Sequence, residues 1–462
     1  MRTALYNFLF ARHHGGKFIL RIEDTDRTRY VEGAAENLIR TLHTVGLDYD
    51  EGPNRGGPCG PYFQSQRLEI YENYARQLIE QEHAYYCFCT PEQLEKMRQA
   101  QQAAGLQPKY DGTCRHLTPE EVDSKLKKGI PRVIRLKMPQ EGVTTFTDLI
   151  RGEVTVQNEM VDDQILVKSD GYPTYHLANV IDDHLMGISH VIRGEEWLLS
   201  VPKHIQLYRS FGWDIPQMAH LPLLLSPDRS KLSKRHGDVA VEDFLEKGYL
   251  PEALINYVAL LGWNPGTDQE IFSMDELIKE FSIDRVNKSG AIFDIQKLNW
   301  MNAHYIKALP EDKRNQFLGK YLDQAGCRIE DEKKKRLIIS AVYKSISYGK
   351  EIAEKAALFF QDTIRISEDE ALAVLRKPSA RMVLETFLTK TASLSELTLD
   401  GFKQVMAKVK NETGLNKQDL WMPIRVALTG VTHGPDLPIV IEVLGLAKIR
   451  NFVQQALKQI QS

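Results

Sequence analysis

Charged and polar side chains follow two segments that the sequence predicts to be buried strands. The segment FILRI (18–22) leads into Glu23, and the segment GISHVI (187–192) leads into Arg193 and Glu196. In open parallel sheets, ligands bind beyond the carboxyl ends of the strands. An arginine offers a planar fork to a carboxylate, and a carboxylate holds an ammonium group. Together these residues suit a small zwitterion such as an amino acid, although each one alone could be a solvated loop charge or a helix cap.

A second candidate group lies between these segments, in SDGYPTYHLANVIDDH (169–184). Tyr175 and Asn179 are four residues apart, so on a helix their side chains share one face. Spacing alone leaves two interpretations open, which are a role in a binding site and plain packing with capping.

A loop rich in lysine follows later in the chain. PDRSKLSKRHGD (227–238) holds Lys231, Ser233, Lys234 and Arg235 among residues that break regular structure. Ammonium groups that close onto a triphosphate stabilise the charge that develops as pyrophosphate leaves. The string is short, and a solvated basic loop is the alternative.

Three of the five cysteines lie close together in the sequence. Cys87 and Cys89 form C-x-C, and Cys114 with His116 forms C-x-H. In an extended strand, residues i and i+2 face the same side, so each pair can present two ligands. Four such ligands suit tetrahedral structural zinc. The alternative is a set of buried free thiols with an incidental histidine.

Composition places few limits on function. The chain has 462 residues, a net charge of −3, 42% hydrophobic and 26% charged residues, which is an ordinary soluble mixture. No apolar run approaches the ~20 residues that a membrane helix needs, so we expect no membrane span. Five cysteines are too few for a disulfide framework, which indicates a reducing compartment. The balanced charge neither announces nor excludes a nucleic-acid partner.

The order of predicted elements indicates an α/β protein. Residues 1–68 alternate helix, strand and helix, and this texture returns over 177–226, which favours one parallel sheet. Between them, 69–176 mixes short strands and turns and is predicted to be an inserted α+β module. Beyond about residue 310 the apolar residues recur at helical spacing, so this region is predicted to be all-α.

With these pieces in order, the chain resembles the bacterial-type glutamyl-tRNA synthetases, a family of class I aminoacyl-tRNA synthetases. The resemblance runs from residue 2 to near the C-terminus. The order and spacing of several segments support the resemblance, because no single short motif decides the family. The segments that match are RTALYNFLFARHHGGKFILRIEDTD, DGYPTYHLANVIDDHLMGISHVIRGEEW, KLSKRHGD, FDIQKLNWMNAHYI and MPIRVALTG.

The resemblance implies activation of L-glutamate by ATP, followed by transfer of the glutamyl group to the 3′ end of tRNA(Glu). Glu23 resembles the carboxylate that meets the substrate amino group. Arg193 resembles the partner of the substrate side-chain carboxylate, and Tyr175 and Asn179 resemble residues that line the same pocket. A buried arginine stabilises a bound carboxylate, whereas the neutral amide of glutamine leaves the arginine partly unpaired.

The resemblance also implies an ATP site. Glu196 is similar to a residue near ATP, and Lys231 to Arg235 match the KMSKS loop of the family, with Ser233 and Lys234 inside it. Lys234 is the residue that we expect to contact the ATP phosphates. Mg²⁺ is expected with the nucleotide because the metal shields phosphate charge. Some members of the family carry zinc at the position of the cysteine group.

The family assigns each region a part in tRNA binding. The Rossmann-type catalytic domain is expected at 1–68 and 177–226, and the module at 69–176 is expected to meet the acceptor arm. A connecting domain with the KMSKS loop is expected at 227–310, and a helical anticodon-binding domain at 311–462. The resemblance implies a monomer that works in the cytoplasm.

The start of the printed chain differs from the family pattern. Members of the family begin with a strand, a turn similar to Pro-Ser-Pro-Thr-Gly and a HIGH-type histidine motif, just before the segment that starts here at Arg2. These parts, including the first strand of the sheet, do not occur in the printed sequence. We therefore expect the chain as printed to aminoacylate poorly, and the alternative function is that of a truncated, catalytically inactive tRNA-binding remnant.

Overall fold

The structure is a computed structural model that describes residues 1–29, 31–232, 240–327 and 329–461. The chain divides into two compact units, which we describe separately. Unit 1 comprises Met1–Val241 with Ile255–Asp294, and unit 2 comprises Glu242–Leu254 with Ile295–Ser462. The four domain ranges predicted from the sequence are finer than this division and stay predictions.

Helices and strands alternate up to residue 294, and the described residues beyond it form helices without strands. The strands are β1 (Ala84–Cys87), β2 (Val133–Leu136), β3 (Val143–Asp148), β4 (Gly152–Gln157), β5 (Ile165–Val167), β6 (His190–Gly194), β7 (Gln217–Leu221), β8 (Leu224–Leu225) and β9 (Ala291–Ile292). The helices of this part are α1 (Arg2–His13), α2 (Ala34–Thr44), α3 (Leu68–Glu80), α4 (Pro91–Ala103), α5 (Pro119–Lys127), α6 (Tyr175–Leu185), α7 (Val201–Phe211), α8 (Val241–Lys247), α9 (Pro251–Ala259) and α10 (Met274–Glu280).

A four-stranded sheet forms the centre of unit 1, in the order β4-β3-β7-β6. β7 pairs in parallel with both β6 and β3, while β3 and β4 form an antiparallel hairpin. This mixed sheet with parallel strands confirms the predicted α/β class. β3 lies in the range predicted to be an insertion, and yet it joins the central sheet beside β7.

The helix predicted at the start of the chain is confirmed as α1. Leu5 and Leu9 are fully buried, as their helical spacing predicts. Asn7 on the same helix donates from Nδ2 to the carbonyl oxygen of Ile192 at 2.9 Å, which holds α1 beside β6. Gly15 follows the helix with φ of +65°, a left-handed conformation that glycine adopts without steric cost.

The predicted strand FILRI forms only part of a ladder. Ile19 makes one parallel bridge to Glu51, and Ile22 makes one to Phe63, so two different segments share this short stretch. Gly52 approaches it so closely that a Cβ there would lie 2.9 Å from the carbonyl oxygen of Leu20. The segment that carries Glu51 and Gly52 therefore pairs with this stretch at Ile19 alone among the described residues and does not extend the ladder.

The apolar segment LPLLL (221–225) is divided between two strands. The buried strand β7 ends at Leu221, and β8 begins at Leu224 after Pro222. Proline has no N–H to donate to a ladder, so the pairing changes there. β7 remains in the central sheet, and β8 pairs in parallel with β9.

A second sheet in unit 1 has the antiparallel order β1-β2-β5. Its apolar face packs with α3, α6 and α7 around buried Tyr71, Leu78, Leu177 and Leu207. β1 ends at Cys87, so the C-x-C group leaves the edge of this sheet before α4 begins.

From residue 295 onward the described part of unit 2 is all-α, which confirms the helical character predicted beyond about residue 310. Its helices are α11 (Ile295–Ala308), α12 (Glu311–Gln324), α13 (Glu332–Val342), α14 (Ile352–Lys355), α15 (Asp369–Leu375), α16 (Pro378–Thr391), α17 (Leu399–Thr413), α18 (Lys417–Thr429) and α19 (Leu437–Gln461). Phe387 of α16 and Phe452 of α19 are fully buried in one apolar core. Gly445 interrupts α19 with φ of +71°. No helix within the described ranges combines the length and the apolarity that crossing a membrane requires.

Candidate active site

Three of the residues predicted to bind an amino acid lie together where β6 ends and α6 begins. Arg193, on β6, donates from Nη1 to the hydroxyl oxygen of Tyr175 at 3.1 Å. The Nδ2 atom of Asn179 lies 3.4 Å from the same oxygen, since the two residues are one helical turn apart on α6. The structure therefore brings these side chains to one place at the carboxyl end of the sheet.

Arg193 is only 7% exposed, and its guanidinium rests against two histidines. Its Nε donates to Nε2 of His220 at 3.1 Å, and its Nη2 lies 3.2 Å from Nδ1 of His204. The Nδ1 atom of His220 in turn lies 2.6 Å from Oδ2 of Asp148. Asp148, His204 and His220 could not be predicted as neighbours of Arg193, because only the pairing of strands and the packing of helices bring them there.

Glu23 is held beside α6 by an arginine that precedes it by two residues. Arg21 donates from Nη2 to Oε1 of Glu23 at 3.2 Å and from Nη1 to Oδ1 of Asp183 at 3.0 Å. Asn179 donates to the other oxygen of Asp183 at 3.2 Å. The Glu23 side chain is 39% exposed, so it can reach a ligand.

The charges around Glu23 and Tyr175 act on each other. Partial desolvation raises the pKa of Glu23, and the neighbouring Arg21 opposes this rise. Burial also raises the pKa of the Tyr175 hydroxyl, with Arg193 acting against the rise and the charge of Glu23 adding to it. The carboxylate of Glu23 and the guanidinium of Arg193 therefore both act on the hydroxyl of Tyr175.

Asp182, next to Asp183 on α6, is fully buried and anchors this arrangement. It accepts hydrogen bonds from Gln64 Nε2 at 2.9 Å, Arg67 Nε at 2.8 Å and Tyr71 Oη at 2.8 Å. The Nε atom of Arg21 lies 3.6 Å from it. One carboxylate thus joins α6 to α3, to the segment before α3 and to the segment that carries Glu23.

The predicted ATP residues are only partly within the described chain. Glu196 follows β6 in a 3₁₀ turn, and its Oε1 lies 3.8 Å from Nζ of Lys231. Both side chains are largely exposed, so they are accessible to a polyphosphate. Ser233, Lys234 and Arg235 lie outside the described residues.

The three predicted cysteine ligands come together in unit 1. The sulfur atoms of Cys87, Cys89 and Cys114 all lie within 4.8 Å of one another, and those of Cys89 and Cys114 are 3.5 Å apart. His116 is exposed and does not belong to this group of atoms. The hydroxyl of Tyr110 lies instead 3.4 Å from the sulfur of Cys87 and 3.7 Å from that of Cys89. Three clustered thiols fit the soft ligand set of zinc.

Known families match both parts of the chain. Residues 1–300 match the family described as "tRNA synthetases class I (E and Q), catalytic domain", and residues 303–457 match that described as "Anticodon binding domain". The chain belongs to the class I tRNA synthetases (E and Q). The family that the sequence resembled is therefore confirmed.

Relatives of this synthetase cover nearly the whole chain. A glutamate–tRNA ligase of Alkaliphilus metalliredigens is 47% identical over 98% of this chain and 94% of its own length. A glutamate–tRNA ligase of Geobacillus stearothermophilus is 46% identical over 99% of this chain and 95% of its own length. The crystal structure of a glutamate tRNA ligase from Elizabethkingia meningosepticum in complex with its amino acid superposes with a TM-score of 0.88. Its sequence is 38% identical, and the match covers 99% of this chain and 96% of that chain.

We predict that Asp182 is a main support of this synthetase site. Asp182→Ala leaves the guanidinium of Arg67 buried without its carboxylate, so the free energy of unfolding should fall by about 3–5 kcal/mol. Urea unfolding followed by tryptophan fluorescence measures the change. Asp170→Ala is the control, because Asp170 is exposed and its ion pair with Lys168 should contribute less than about 1 kcal/mol. Equal losses in the two variants would contradict the prediction.

Proposed function

We propose that the chain attaches L-glutamate to tRNA(Glu) in two steps, with ATP as the source of energy. In the first step, the α-carboxylate of glutamate attacks the α-phosphorus of ATP, and pyrophosphate leaves. In the second step, a terminal ribose hydroxyl of the tRNA attacks the acyl carbon, and AMP leaves. Both steps depend on positioning and charge stabilisation more than on covalent help from the protein.

The observation that carries this proposal is the set of hydrogen-bond donors left on Arg193. A guanidinium has five N–H donors. Nε, Nη1 and Nη2 each use one of them within the described chain, on His220, Tyr175 and His204. One N–H therefore remains on each of Nη1 and Nη2, and we propose that these two donors form the fork that a carboxylate would match.

Glu23 supports the opposite end of the same substrate. Its partly exposed carboxylate would accept from the glutamate ammonium group, while the Arg193 fork would hold the side-chain carboxylate. A neutral amide in place of that carboxylate lacks the charge and one acceptor, so glutamine would be rejected. Tyr175 and Asn179 would line the pocket between the two charges.

The nucleotide would lie on the Glu196 side of Arg193. Lys231 reaches Glu196 and begins the loop whose Ser233, Lys234 and Arg235 we propose as further ATP contacts. Mg²⁺ bound with ATP would shield the phosphate charges. A non-catalytic remnant is not favoured, since ligases match over nearly the full chain. The monomeric state and the cytoplasmic location stay predictions.

The test of this function is amino-acid specificity. Arg193→Leu removes the fork, so affinity for glutamate should fall on the order of 10²-fold, while affinity for ATP should not change. Equilibrium dialysis with glutamate, glutamine and ATP measures both, and pyrophosphate exchange with tRNA present gives the same ranking. Arg209→Leu, an exposed change on α7, is the matched control. No preference for glutamate in the unsubstituted chain would contradict the proposal.

We propose that the cysteine group holds structural zinc and stabilises the part of unit 1 that would meet the acceptor arm. Cys87, Cys89 and Cys114 would supply three thiolates. The sequence pattern favours His116 as the fourth ligand. The distances to two of the sulfurs favour the Tyr110 hydroxyl instead. Zinc bound in this way would order the chain and take no part in the reaction.

Metal analysis tests the zinc proposal. Protein purified without added zinc should carry one equivalent, and Cys114→Ser should lose it together with thermal stability. Tyr110→Phe and His116→Ala then distinguish the fourth ligand, because only the variant of the true ligand should bind zinc more weakly. Reduced, intact thiols without zinc would contradict the proposal.

We propose that a pocket in unit 2 receives an unstacked base of the anticodon. It has a volume of about 760 Å³ and lies between α17, α18 and the start of α19. Phe402 and Trp421 give it aromatic walls, with Lys403, Lys417 and Arg425 beside them. Proteins read single-stranded RNA bases by stacking on aromatic rings and arginine planes, and lysines bind phosphates.

Trp421→Ala should weaken binding of tRNA(Glu) by the 1–3 kcal/mol that a stacked base contributes, about 5- to 150-fold. Filter binding with the full-length tRNA transcript measures this loss at fixed salt. Trp300→Ala is the matched control, since Trp300 is 50% exposed and Trp421 is 40% exposed, and Trp300 does not line the pocket. The proposal fails if both variants bind like the unsubstituted chain.

A further inference from the structure

The hydrogen bonds of Arg193 fix the protonation of the two histidines beside it. A guanidinium donates and never accepts, so Nε2 of His220 and Nδ1 of His204 must both be unprotonated acceptors. Each ring is therefore neutral, with its single proton on the opposite nitrogen. For His220 that nitrogen is Nδ1, and for His204 it is Nε2.

Each of these protons has an acceptor of its own. Nδ1 of His220 donates to Oδ2 of Asp148 at 2.6 Å, and Nε2 of His204 donates to Nδ1 of His176 at 3.0 Å. Asp148, His204 and His220 are almost completely buried. Two chains of hydrogen bonds thus end on Arg193, one from a carboxylate and one from a histidine.

The fold places these residues by sheet register and helix packing. Arg193 and His220 are Cα partners in the parallel pair β6–β7, so their side chains lie on the same face of adjacent strands. Asp148 is the last residue of β3 and pairs with Met218, two residues before His220. His204 belongs to α7, which packs on this sheet through Val201, Ile205 and Met218.

We propose that Asp148 and His204 are positioning residues for Arg193, which hold its guanidinium so that the free N–H pair points at the glutamate side chain. This inference rests on the proposed function and adds specificity determinants to it. Asp148 acts through His220, whose tautomer it selects. His204 acts directly on Nη2.

The electrostatics agree with this geometry. Burial alone would raise the pKa of Asp148, yet the hydrogen bond from His220 and the backbone donors lower it, so the carboxylate is ionised. Burial and the charge of Arg193 lower the pKa of His204, so this ring stays neutral. The buried cation is therefore compensated by one carboxylate that lies one ring away.

Asp148→Asn tests the role of the tautomer without changing the size of the side chain. Oδ1 of Asp148 accepts from the backbone N–H groups of Ile150, Arg151 and His220, which keeps an oxygen of the amide on that side. The amide nitrogen then faces Nδ1 of His220 and donates to it. The ring proton moves to Nε2, where it points at the N–H of Arg193.

We expect Asp148→Asn to lower the preference for a glutamyl-adenylate analogue over its glutaminyl counterpart by about 10- to 100-fold, as loss of outer-shell partners does elsewhere. The affinity for ATP should stay unchanged. Titration calorimetry on the full chain measures these affinities. Asp163→Asn is the control, since Asp163 is a buried carboxylate on Arg115, away from Arg193, and should change stability but not the preference.

A second set of variants separates positioning from folding. His220→Gln keeps an acceptor near the place of Nε2 and has no tautomers, so Asp148→Asn added to it should reduce the preference by less than about twofold. His204→Asn keeps an acceptor near the place of Nδ1 and should retain most of the preference, whereas His204→Leu should lose it. These rescues are not expected of a residue that serves stability alone.

The outcomes distinguish this inference from the function beneath it. An unsubstituted chain that binds the glutamyl and glutaminyl analogues equally overturns the proposed function and this inference with it. A clear glutamyl preference that Asp148→Asn and His204→Leu both leave intact overturns this inference alone. Equal losses in the His220→Gln background would also overturn the role of the tautomer.

Discussion

A guanidinium stays charged under all conditions that a protein meets, and Arg193 keeps this charge where only 7% of the residue is exposed. Burial of an unpaired cation costs several kcal/mol, so the surroundings must supply acceptors and a compensating carboxylate. Tyr175, His204 and His220 supply the acceptors. The strand order, the register of β6 against β7 and the placement of α6 and α7 all serve this requirement.

The same logic explains the pair of carboxylates on α6. Asp182 faces Arg67, Gln64 and Tyr71 and is closed to solvent, whereas Asp183 faces Arg21 and Asn179. Burial raises the pKa of Asp183, and Arg21 counters that rise by its charge. Arg21 uses its other terminal nitrogen, Nη2, to donate to Glu23. Helix α6 thereby supports both parts of the proposed site, since it carries Tyr175 and Asn179 and binds the segment of Glu23 through Arg21.

Features carried by neighbouring residues could be predicted from the sequence. Helix α1, the position of Arg193 at a strand end and the shared face of Tyr175 and Asn179 all follow from spacing within a few residues. The support of Arg193 could not be predicted, because His220 reaches it only through strand register and Asp148 through a single pair with β7. Spacing placed His116 with the cysteines, but their sulfurs lie nearer Tyr110, since a C-x-H pattern presents both residues together only in an extended strand.

Specificity for a carboxylate requires that the site keep its charge while the groups near it stay neutral. His176, with a pKa lowered to about 4 by burial and by Lys203 and Arg193, stays uncharged near neutral pH. His204 does the same, since burial and the charge of Arg193 lower its pKa as well. Neither ring then adds a second positive charge beside Arg193. Each ring also keeps one unprotonated nitrogen that can accept a hydrogen bond. These two rings therefore add no change of charge beside Arg193 near neutral pH. In the proposed site the groups around Arg193 are in place before the substrate arrives, so a carboxylate would need little reorganisation of the protein, whereas an amide would leave one donor of Arg193 unpaired.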